Sequence, residues 1–295
     1  MFIQLTGPAR IFTVVALLAS CGAFAEQDFS RTVPAAPKGQ VEISTFGGMV
    51  EVSGWDQSEI DIKGQLSSAV ERVDVTSDRG RTSIRVIVRH GGEANLRIRV
   101  PKYSDLEVTA VSADVRTHDM LGEQRLKSVS GDIVADLYGS DVETKTVSGD
   151  TSLRGDRKPI SVRATSVSGD IHYERGAGDL EGSTVSGNLN ASLDPGNDIR
   201  VRTTSGDVAL KGKLTGAASV DAETISGELQ LGMRTEDGYR YEVSSFSGDI
   251  ENCFDKQPER SSRYGPGSRL MGTRGDAKGD VRLKTMSGDV TLCDR

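Results

Sequence analysis

The feature that most constrains the fold is a short phrase, Ser-Gly-Asp, which recurs along the chain and is usually followed by an apolar residue. Complete copies are Ser130-Gly131-Asp132, Ser148-Gly149-Asp150, Ser168-Gly169-Asp170, Ser205-Gly206-Asp207, Ser247-Gly248-Asp249 and Ser287-Gly288-Asp289, with variants at Ser112, Ser186 and Ser226. Neighbouring copies lie 18 to 21 residues apart, except for a gap of 40 before Ser287. A period near twenty residues predicts a solenoid, in which each repeat forms one rung of a stack.

The residues around the phrase alternate between apolar and polar types when the nine copies are aligned on their Ser. Positions six and four before Ser and three after it are mostly apolar, and the position two before it is always Ala, Ser or Thr. Because side chains of a strand alternate between its two faces, these columns predict a narrow interior on both sides of the turn. We therefore predict an all-β fold: a single-stranded parallel β-solenoid, β-helix or β-roll like, with about 18–21 residues per rung and an irregular antiparallel N-terminal cap.

The column five residues before Ser carries charges that alternate in sign. In chain order it contains Glu107, Arg125, Glu143, Arg163, Glu181, Arg200, Asp221, Glu242 and Arg282. Opposite charges on neighbouring strands stabilise by roughly 0.2–1 kcal/mol, and like charges cost a similar amount. The alternation predicts parallel stacking in register, and only Asp221 beside Glu242 breaks it.

The phrase itself has a structural explanation. Gly accepts a positive φ or a close backbone approach that a Cβ would prevent, and Ser and Asp bond neighbouring amides in tight turns. Stacking places the acidic residues in one column, where carboxylates roughly 5 Å apart repel by about 1 kcal/mol even in water. Backbone amides, lateral displacement or bound cations such as calcium are the alternatives that would offset this repulsion, and the sequence leaves them open.

Two Cys residues fall in one column of the repeat. Cys253 lies six residues after Ser247, and Cys293 lies six after Ser287. Neighbouring parallel strands are about 4.8 Å apart, within the usual Cα separation of a disulfide, and an additional rung between them would double that distance. We therefore predict a Cys253–Cys293 disulfide and a loop insertion, extruded from the stack, at about 254–276.

The first residues are typical of a targeting segment. Residues 1–25 resemble a signal peptide, with an apolar stretch after Arg10 and small residues before the expected cleavage site. Leu18-Ala19-Ser20-Cys21 also fits a bacterial lipobox, so Cys21 is either discarded or carries a lipid anchor. Either alternative predicts an exported protein of the periplasm, cell envelope or outer surface.

The remaining boundaries follow from pattern. Residues 26–40 have no period and are interpreted as a linker, 41–105 as an N-terminal β cap, and 106–295 as the solenoid repeats. Within the cap, Phe46-Gly47-Gly48 resembles a degenerate copy of the turn, and Asp78–Arg81 lies between two alternating runs that predict a hairpin.

Composition restricts the partners. The net charge of −7 argues against nucleic acid, which requires a concentrated basic surface. No run of 18 apolar residues follows the N-terminus, so no transmembrane segment is expected in the mature chain. The partner is expected to be an unidentified envelope or surface polymer or protein.

Candidate catalytic groups are few. His90, His118 and His172 have no Cys or His at metal-ligand spacing and are interpreted as surface residues. The repeated Ser has no His placed to activate it, and hydrolase and nucleotide-binding motifs are absent from the sequence. We assign no catalytic, cofactor-binding or metal residues, although parallel β-helices that act on polysaccharides use clustered Asp, sometimes with calcium.

The predicted insertion is basic. It carries Arg260, Arg263, Arg269 and Arg274 around Tyr264. Such a loop on a regular body either binds an anionic surface polymer or is simply solvated, and solvation is the commoner case.

Several segments together resemble the bacterial putative adhesin family. They are the opening ISTFGGMVEVSGW, the LRIRVPKYSDLEV segment followed by SADV, and the serial SGD rungs that end at SGDVTLC, which together cover roughly residues 41–295. The resemblance implies an envelope-associated β-solenoid of unknown function, and it implies no catalytic residues. The expected function is a non-enzymatic adhesive, structural or scaffolding role through an extended rigid surface. The alternative is a carbohydrate-active β-helix enzyme, a lyase or hydrolase, that uses Asp residues of the turn column.

Overall fold

The protein is described from a computed structural model. The structure describes residues 27–89, 91–254, 256–260 and 266–293, so the predicted signal peptide, Cys21 and His90 lie outside the described residues. Within these ranges the fold is all-β and β-solenoid-like, without helices. No helix among these residues has the length and apolar character needed to span a bilayer.

The strands of the described residues join into one sheet that winds through the molecule. They are β1 (Gln27–Pro34), β2 (Gln40–Trp55), β3 (Glu59–Leu66), β4 (Val70–Asp78), β5 (Arg81–Val88), β6 (Glu93–Pro101), β7 (Asp105–His118), β8 (Gln124–Ser128), β9 (Ile133–Leu137), β10 (Val142–Lys145), β11 (Thr151–Gly155), β12 (Ile160–Thr165), β13 (Ile171–Thr184), β14 (Leu189–Ser205), β15 (Val208–Ser226), β16 (Leu229–Arg234), β17 (Gly238–Ser247), β18 (Ile250–Asn252), β19 (Glu259–Arg260), β20 (Ser268–Gly275), β21 (Gly279–Ser287) and β22 (Val290–Cys293).

The repeats stack in parallel and in register. Before the turn, β7, β8, β10, β12 and the second half of β13 pair in succession. After the turn, β7, β9, β11 and β13 do the same. Equivalent positions of the repeat therefore face each other, as in the pair of Glu107 and Arg125. Apolar columns point inward, and Leu126, Val162 and Leu180 are at most 1% exposed.

The C-terminal rung departs from chain order. Strand β21 pairs in parallel with β15 on one side and with β17 on the other, and β22 lies between β16 and β18 in the same way. Arg282 therefore lies between Asp221 and Glu242, so the predicted contact between those two acidic residues is wrong. With this order every neighbouring pair of the nine aligned charges has opposite signs, which removes the single repulsive contact.

The predicted extruded loop is partly wrong. Within about 254–276, β20 pairs antiparallel with β17, and β19 pairs antiparallel with β20. Because β21 occupies the inner edge of β17, the outer edge of β17 forms the end of the stack. Strand β20 covers that edge, whose amides and carbonyls would otherwise remain open for pairing.

The N-terminal region also departs from the prediction. The proposed linker 26–40 is wrong for β1, which pairs antiparallel with β3 over Gln27–Pro34. The cap is mixed and not purely antiparallel, because β2 pairs in parallel with β5 and β6 on one side and with β7 on the other. The first regular rung thus begins near residue 40. In it Gly47 lies beside Ser112 and Gly48 beside Ala113, as expected of a degenerate turn.

The hairpin of the cap agrees with the sequence pattern. Strands β4 and β5 pair antiparallel, and Asp78 faces Arg81 across the turn. The cap is held further by Asp61, whose carboxylate accepts hydrogen bonds from Arg99 (Nε to Oδ2, 3.2 Å) and from Thr32 (Oγ1 to Oδ1, 3.2 Å). The bond from Arg99 is the main cause that lowers the pKa of Asp61, and Lys63 acts in the same direction.

Candidate interaction surface

The glycine of the turn is required by the close approach of the neighbouring rung. A Cβ on Gly131 would overlap the carbonyl oxygen of Ala113, and a Cβ on Gly149 would overlap that of Gly131. The same clash recurs at Gly169, Gly187, Gly206, Gly227, Gly248 and Gly288. Of these turn glycines, only Gly248 and Gly288 have a φ in the left-handed range, so close approach is the shared reason for glycine.

The small hydroxyl residue two positions before the turn Ser closes the corner from inside. The backbone N–H of Gly131 donates to Ser128 Oγ at 2.9 Å, that of Gly169 donates to Ser166 Oγ at 2.8 Å, and Gly187 donates to Thr184 Oγ1 at 3.0 Å. These side chains are buried. A buried amide left without an acceptor would cost about 1–3 kcal/mol, which explains a hydroxyl in an otherwise apolar interior.

The acidic residues of the turn form a ladder along the stack. The backbone N–H of Asp150 donates to Asp132 Oδ1 at 2.9 Å, and that of Asp170 donates to Asp150 Oδ1 at 2.8 Å. Equivalent bonds link Asp132 to Asp114, Asn188 to Asp170, Asp207 to Asn188, Glu228 to Asp207 and Asp249 to Asp289. Backbone amides therefore offset the repulsion within the acidic column, one of the alternatives that the sequence left open. Asn188 takes part at both sides, so the ladder requires an oxygen acceptor and not a charge.

The acidic column does not assemble a cation site within the part of the chain that the structure describes. No group of three or more His, Cys, Asp or Glu residues there is arranged to hold a metal ion. The turn residues that the sequence singled out are thus brought together as successive members of one column, each bonded to the next.

An apolar stripe runs beside the ladder, and the sequence analysis missed it. The residue immediately before each turn Ser is apolar in all but one rung, and its side chain is exposed. In spatial order the apolar stripe consists of Phe46, Val111, Val129, Val147, Val167, Val185, Ile225, Met286 and Phe246, which are 38% to 59% exposed, with Thr204 between Val185 and Ile225. The recurrence of Val before Ser was the sequence signal that could have revealed it.

The apolar stripe is straight because its backbone is bonded from rung to rung. Ser130 N donates to Val111 O at 2.8 Å, Ser148 N to Val129 O at 2.9 Å, and Ser168 N to Val147 O at 2.8 Å. The ten positions of the stripe span about 43 Å at the usual strand spacing of about 4.8 Å. A continuous exposed apolar patch on a rigid scaffold is the kind of surface that marks interaction sites.

Opposite charges border the apolar stripe on its two sides. The acidic ladder lies on the side of the turn. On the other side, three residues before each Ser, four residues are basic (Lys127, Lys145, Arg202 and Lys284) and one is acidic (Glu223). Lys127 Nζ pairs with Glu107 at 2.8 Å and Lys145 Nζ with Glu143 at 2.5 Å. These lysines are the main cause that lowers the pKa values of Glu107 and Glu143.

A groove near the C-terminal end crosses the alternating charges. It encloses about 660 Å³ and is lined by residues that include Asp221, Tyr241, Glu242, Met271 and Arg282. Charges of both signs face it in turn, so it offers no concentrated field for a ligand of one sign.

The remaining predicted residues are scattered. Cys253 and Cys293 form the predicted disulfide, with a Cα separation of 5.0 Å. His118 contacts Asp119 (Nδ1 to Oδ2, 3.1 Å) and Glu51 (Nε2 to Oε1, 3.5 Å), and His172 is exposed beside Ser152 and Asn190.

The basic residues of the insertion do not form a free cluster. Arg269 pairs with Glu242 at 2.6 Å, and Arg274 lies over the ring of Phe254 at 4.3 Å. Arg260 belongs to β19, while Arg263 and Tyr264 lie outside the described residues.

The family of the chain follows from its sequence. A family described as Toastrack DUF4097 matches residues 4–211 and 177–293, which together span most of the chain. The chain belongs to the Toastrack DUF4097 family. No curated protein matches it in sequence.

Solved structures with a similar path of the chain are distant in sequence. One is a putative adhesin from Bacteroides fragilis (11% identity, covering 91% of this chain and 98% of that chain, TM-score 0.38). Another is a putative lipid binding protein from Parabacteroides distasonis (9% identity, 90% and 96%, TM-score 0.41). A third is a putative cell adhesion protein from Clostridium sporogenes (8% identity, 92% and 100%, TM-score 0.24).

Proposed function

We propose that this Toastrack protein is a non-enzymatic cell-envelope protein that acts through an extended, rigid surface in adhesion or scaffolding. The observation that carries the proposal is the apolar stripe, an exposed row of apolar side chains held straight by backbone bonds between rungs. Burying each exposed apolar residue against a partner would stabilise the complex at about 25 cal/mol per Å². The stripe thus supplies affinity along its length, and the rigid stack limits the entropy lost on binding.

The architecture that supports this role is a single-stranded solenoid of about 18–21 residues per rung, closed at the N-terminal end by the strands before β7. In this proposal the last rung inserts before its predecessor, and β20 closes the C-terminal end. Parallel pairing in register supports the proposal, since it makes every rung present the same column positions.

Export is part of the same proposal. Residues 1–25 would direct the chain out of the cytoplasm, and Cys21 would either be removed with them or carry a lipid anchor. The intact mass of the mature protein from its native host separates these outcomes. A mass beginning at Glu26 gives a soluble periplasmic form, and an additional mass of acyl chains on Cys21 gives an anchored one.

The test of the binding role compares two changes of exposed valines. The stripe variant Val129→Ser/Val147→Ser/Val167→Ser removes three side chains that are 43% to 45% exposed, whereas Val134→Ser changes a valine that is 42% exposed but lies on the other side of the turn. Retention of the mature protein on isolated envelopes of its own host should fall in the stripe variant and not in the control. Equal retention of both would contradict a binding role for the stripe.

The enzymatic alternative has its own assay. Turnover of acidic polysaccharides by the purified mature protein, lost in Asp132→Asn/Asp150→Asn, would replace the proposal with a carbohydrate-active function. The Asn substitutions preserve the ladder acceptor, as Asn188 does in the native chain, so loss of turnover would report on the carboxylates.

A further inference from the structure

We propose that the apolar stripe is a self-association surface, and that two copies of this chain pair along it with their stacks parallel. The inference rests on the proposed function of the stripe as a binding surface and names its partner, a second copy. Three observations carry it: the repeat of the stripe, the charges at its borders and its size.

The repeat of the stripe matches that of another copy. Its side chains recur once per rung, at the strand spacing of about 4.8 Å. A second stripe has the same repeat along its whole length, so contacts made at one rung can be repeated at every other rung.

The charges at the borders choose the direction of pairing. If the two-fold axis runs along the stack, the stacks are parallel, and the basic border of one copy faces the acidic ladder of the other at the same rung. Lys127, Lys145, Arg202 and Lys284 then lie at the levels of the partner copy's Asp132, Asp150, Asp207 and Asp289.

The antiparallel arrangement lacks this complementarity. If the two-fold axis is perpendicular to the stack, the basic border faces the basic border and the ladder faces the ladder. In the parallel arrangement only the level of Glu223 and Glu228 brings like charges together. Charge complementarity fixes the orientation of complexes and disfavours the alternatives.

The size of the stripe sets the expected strength. A stable interface buries about 800 Å² per partner, whereas nine half-exposed apolar side chains supply an area on the order of 500 Å². The charged borders must provide the rest, and charged pairs at a rim contribute little. The pairing is therefore expected to be weak in dilute solution, with a Kd on the order of 10–100 µM, and to strengthen where copies are concentrated on one surface.

The experiment is sedimentation velocity of the full mature chain from about 1 to 300 µM. We expect a reversible monomer–dimer equilibrium. The stripe variant Val129→Ser/Val147→Ser/Val167→Ser should raise the Kd at least tenfold, and the control Val134→Ser should leave it unchanged. Monomer throughout the concentration range, or a dimer that the stripe variant leaves intact, would overturn the proposal.

Direction is tested by cross-linking of single-cysteine variants. Ser130→Cys and Ser226→Cys lie near opposite ends of the stack. In the parallel arrangement each variant forms a disulfide with its own copy, because identical rungs face each other. In the antiparallel arrangement neither self-links, and an equal mixture of the two forms the hetero-dimer, which would overturn the parallel proposal.

The failure of this inference can be distinguished from failure of the proposed function. A chain that stays monomeric but loses envelope retention in the stripe variant would keep the binding role and refute the second copy as partner. Monomeric protein that floats with neutral phosphatidylcholine vesicles through the same valines would instead assign the stripe to a lipid surface.

Discussion

At the scale of the residue, each position of the turn phrase has one physical task. Gly allows the carbonyl of the neighbouring rung to approach, the hydroxyl two residues before Ser accepts the Gly amide, and the acidic residue accepts the amide of the next rung. The phrase is therefore repeated because each rung must bond to its neighbour.

The ladder makes a prediction at Asp150. Asp150→Ala removes the acceptor of the Asp170 amide and should lower the free energy of unfolding by about 1–2 kcal/mol, because a hydrogen bond to a charged group is lost. Asp150→Asn keeps an oxygen acceptor and should stay within about 0.5 kcal/mol of the native protein. Urea unfolding followed by circular dichroism measures both. An equal loss in the two variants would mean that charge, not the acceptor, matters at this position.

Tyr173 makes a prediction at alkaline pH. Its side chain is 1% exposed, and burial raises the pKa of its hydroxyl from about 10 to about 12. Because the unfolded state loses this proton first, stability is retained below pH 10 and falls by on the order of 2 kcal/mol between pH 10 and 12.

The matched variant for this prediction is Tyr173→Phe, which should flatten that part of the curve of unfolding free energy against pH. The exposed Tyr103, at 49%, provides the control Tyr103→Phe, which should leave the curve unchanged. A fall of equal size in native protein and Tyr173→Phe would assign the alkaline loss to other groups.

At the scale of the element, the C-terminal strands decide how the stack ends. Strands β21 and β22 lie between earlier strands, and β20 covers the edge of β17. The disulfide joins the loop end of this arrangement, because Cys253 follows β18 and Cys293 ends β22.

The disulfide should contribute strongly to stability. It closes a segment with a sequence separation of 40, for which the chain-entropy model gives at most about 4 kcal/mol. Cys253→Ser/Cys293→Ser should therefore lower the free energy of unfolding by about 2–4 kcal/mol, measured in denaturant against the oxidised native protein. Added reductant should lower the native value toward that of the variant and leave the variant unaffected.

The cover on β17 should prevent association through its edge. Replacing residues 256–275 by a short Gly-Ser linker removes β19 and β20 and leaves the outer edge of β17 unpaired. Such edges template intermolecular pairing, so light scattering should show irreversible, concentration-dependent aggregation. A shortened protein that remains as soluble as the native one would show that β20 is dispensable for edge protection.

At the scale of the whole molecule, the stack behaves as a one-dimensional array in which each rung contacts only its neighbours. A central rung supports strands on both sides, whereas β20 supports the end alone. The consequence of losing an apolar side chain should therefore depend on its place along the stack.

Two leucines of equal burial test this dependence. Leu180 in β13 and Leu270 in β20 are each 1% exposed. Leu180→Ala should cost about 3–5 kcal/mol and Leu270→Ala about 2–3 kcal/mol, within the range for buried leucines. Hydrogen exchange should show lost protection on both sides of Leu180 and only near β17 and β20 for Leu270. Identical patterns in the two variants would contradict the one-dimensional description.

The sequence by itself determined the rung. The period, the inward columns and the two Cys in one column were visible because every stacked rung repeats the same contacts, and repetition leaves a pattern in one chain. It also placed the hairpin at Asp78–Arg81, since that contact is local.

Only the tertiary structure decided the order of the last rungs, the pairing of β1 with β3, and the cover formed by β20. These contacts join segments far apart in sequence and occur once, so no periodicity announces them. The structure also gave meaning to the residue before each turn Ser. Alternation predicted that this column faces outward, but only the stacked register turns scattered valines into a continuous exposed stripe, because a surface exists only once the rungs are aligned.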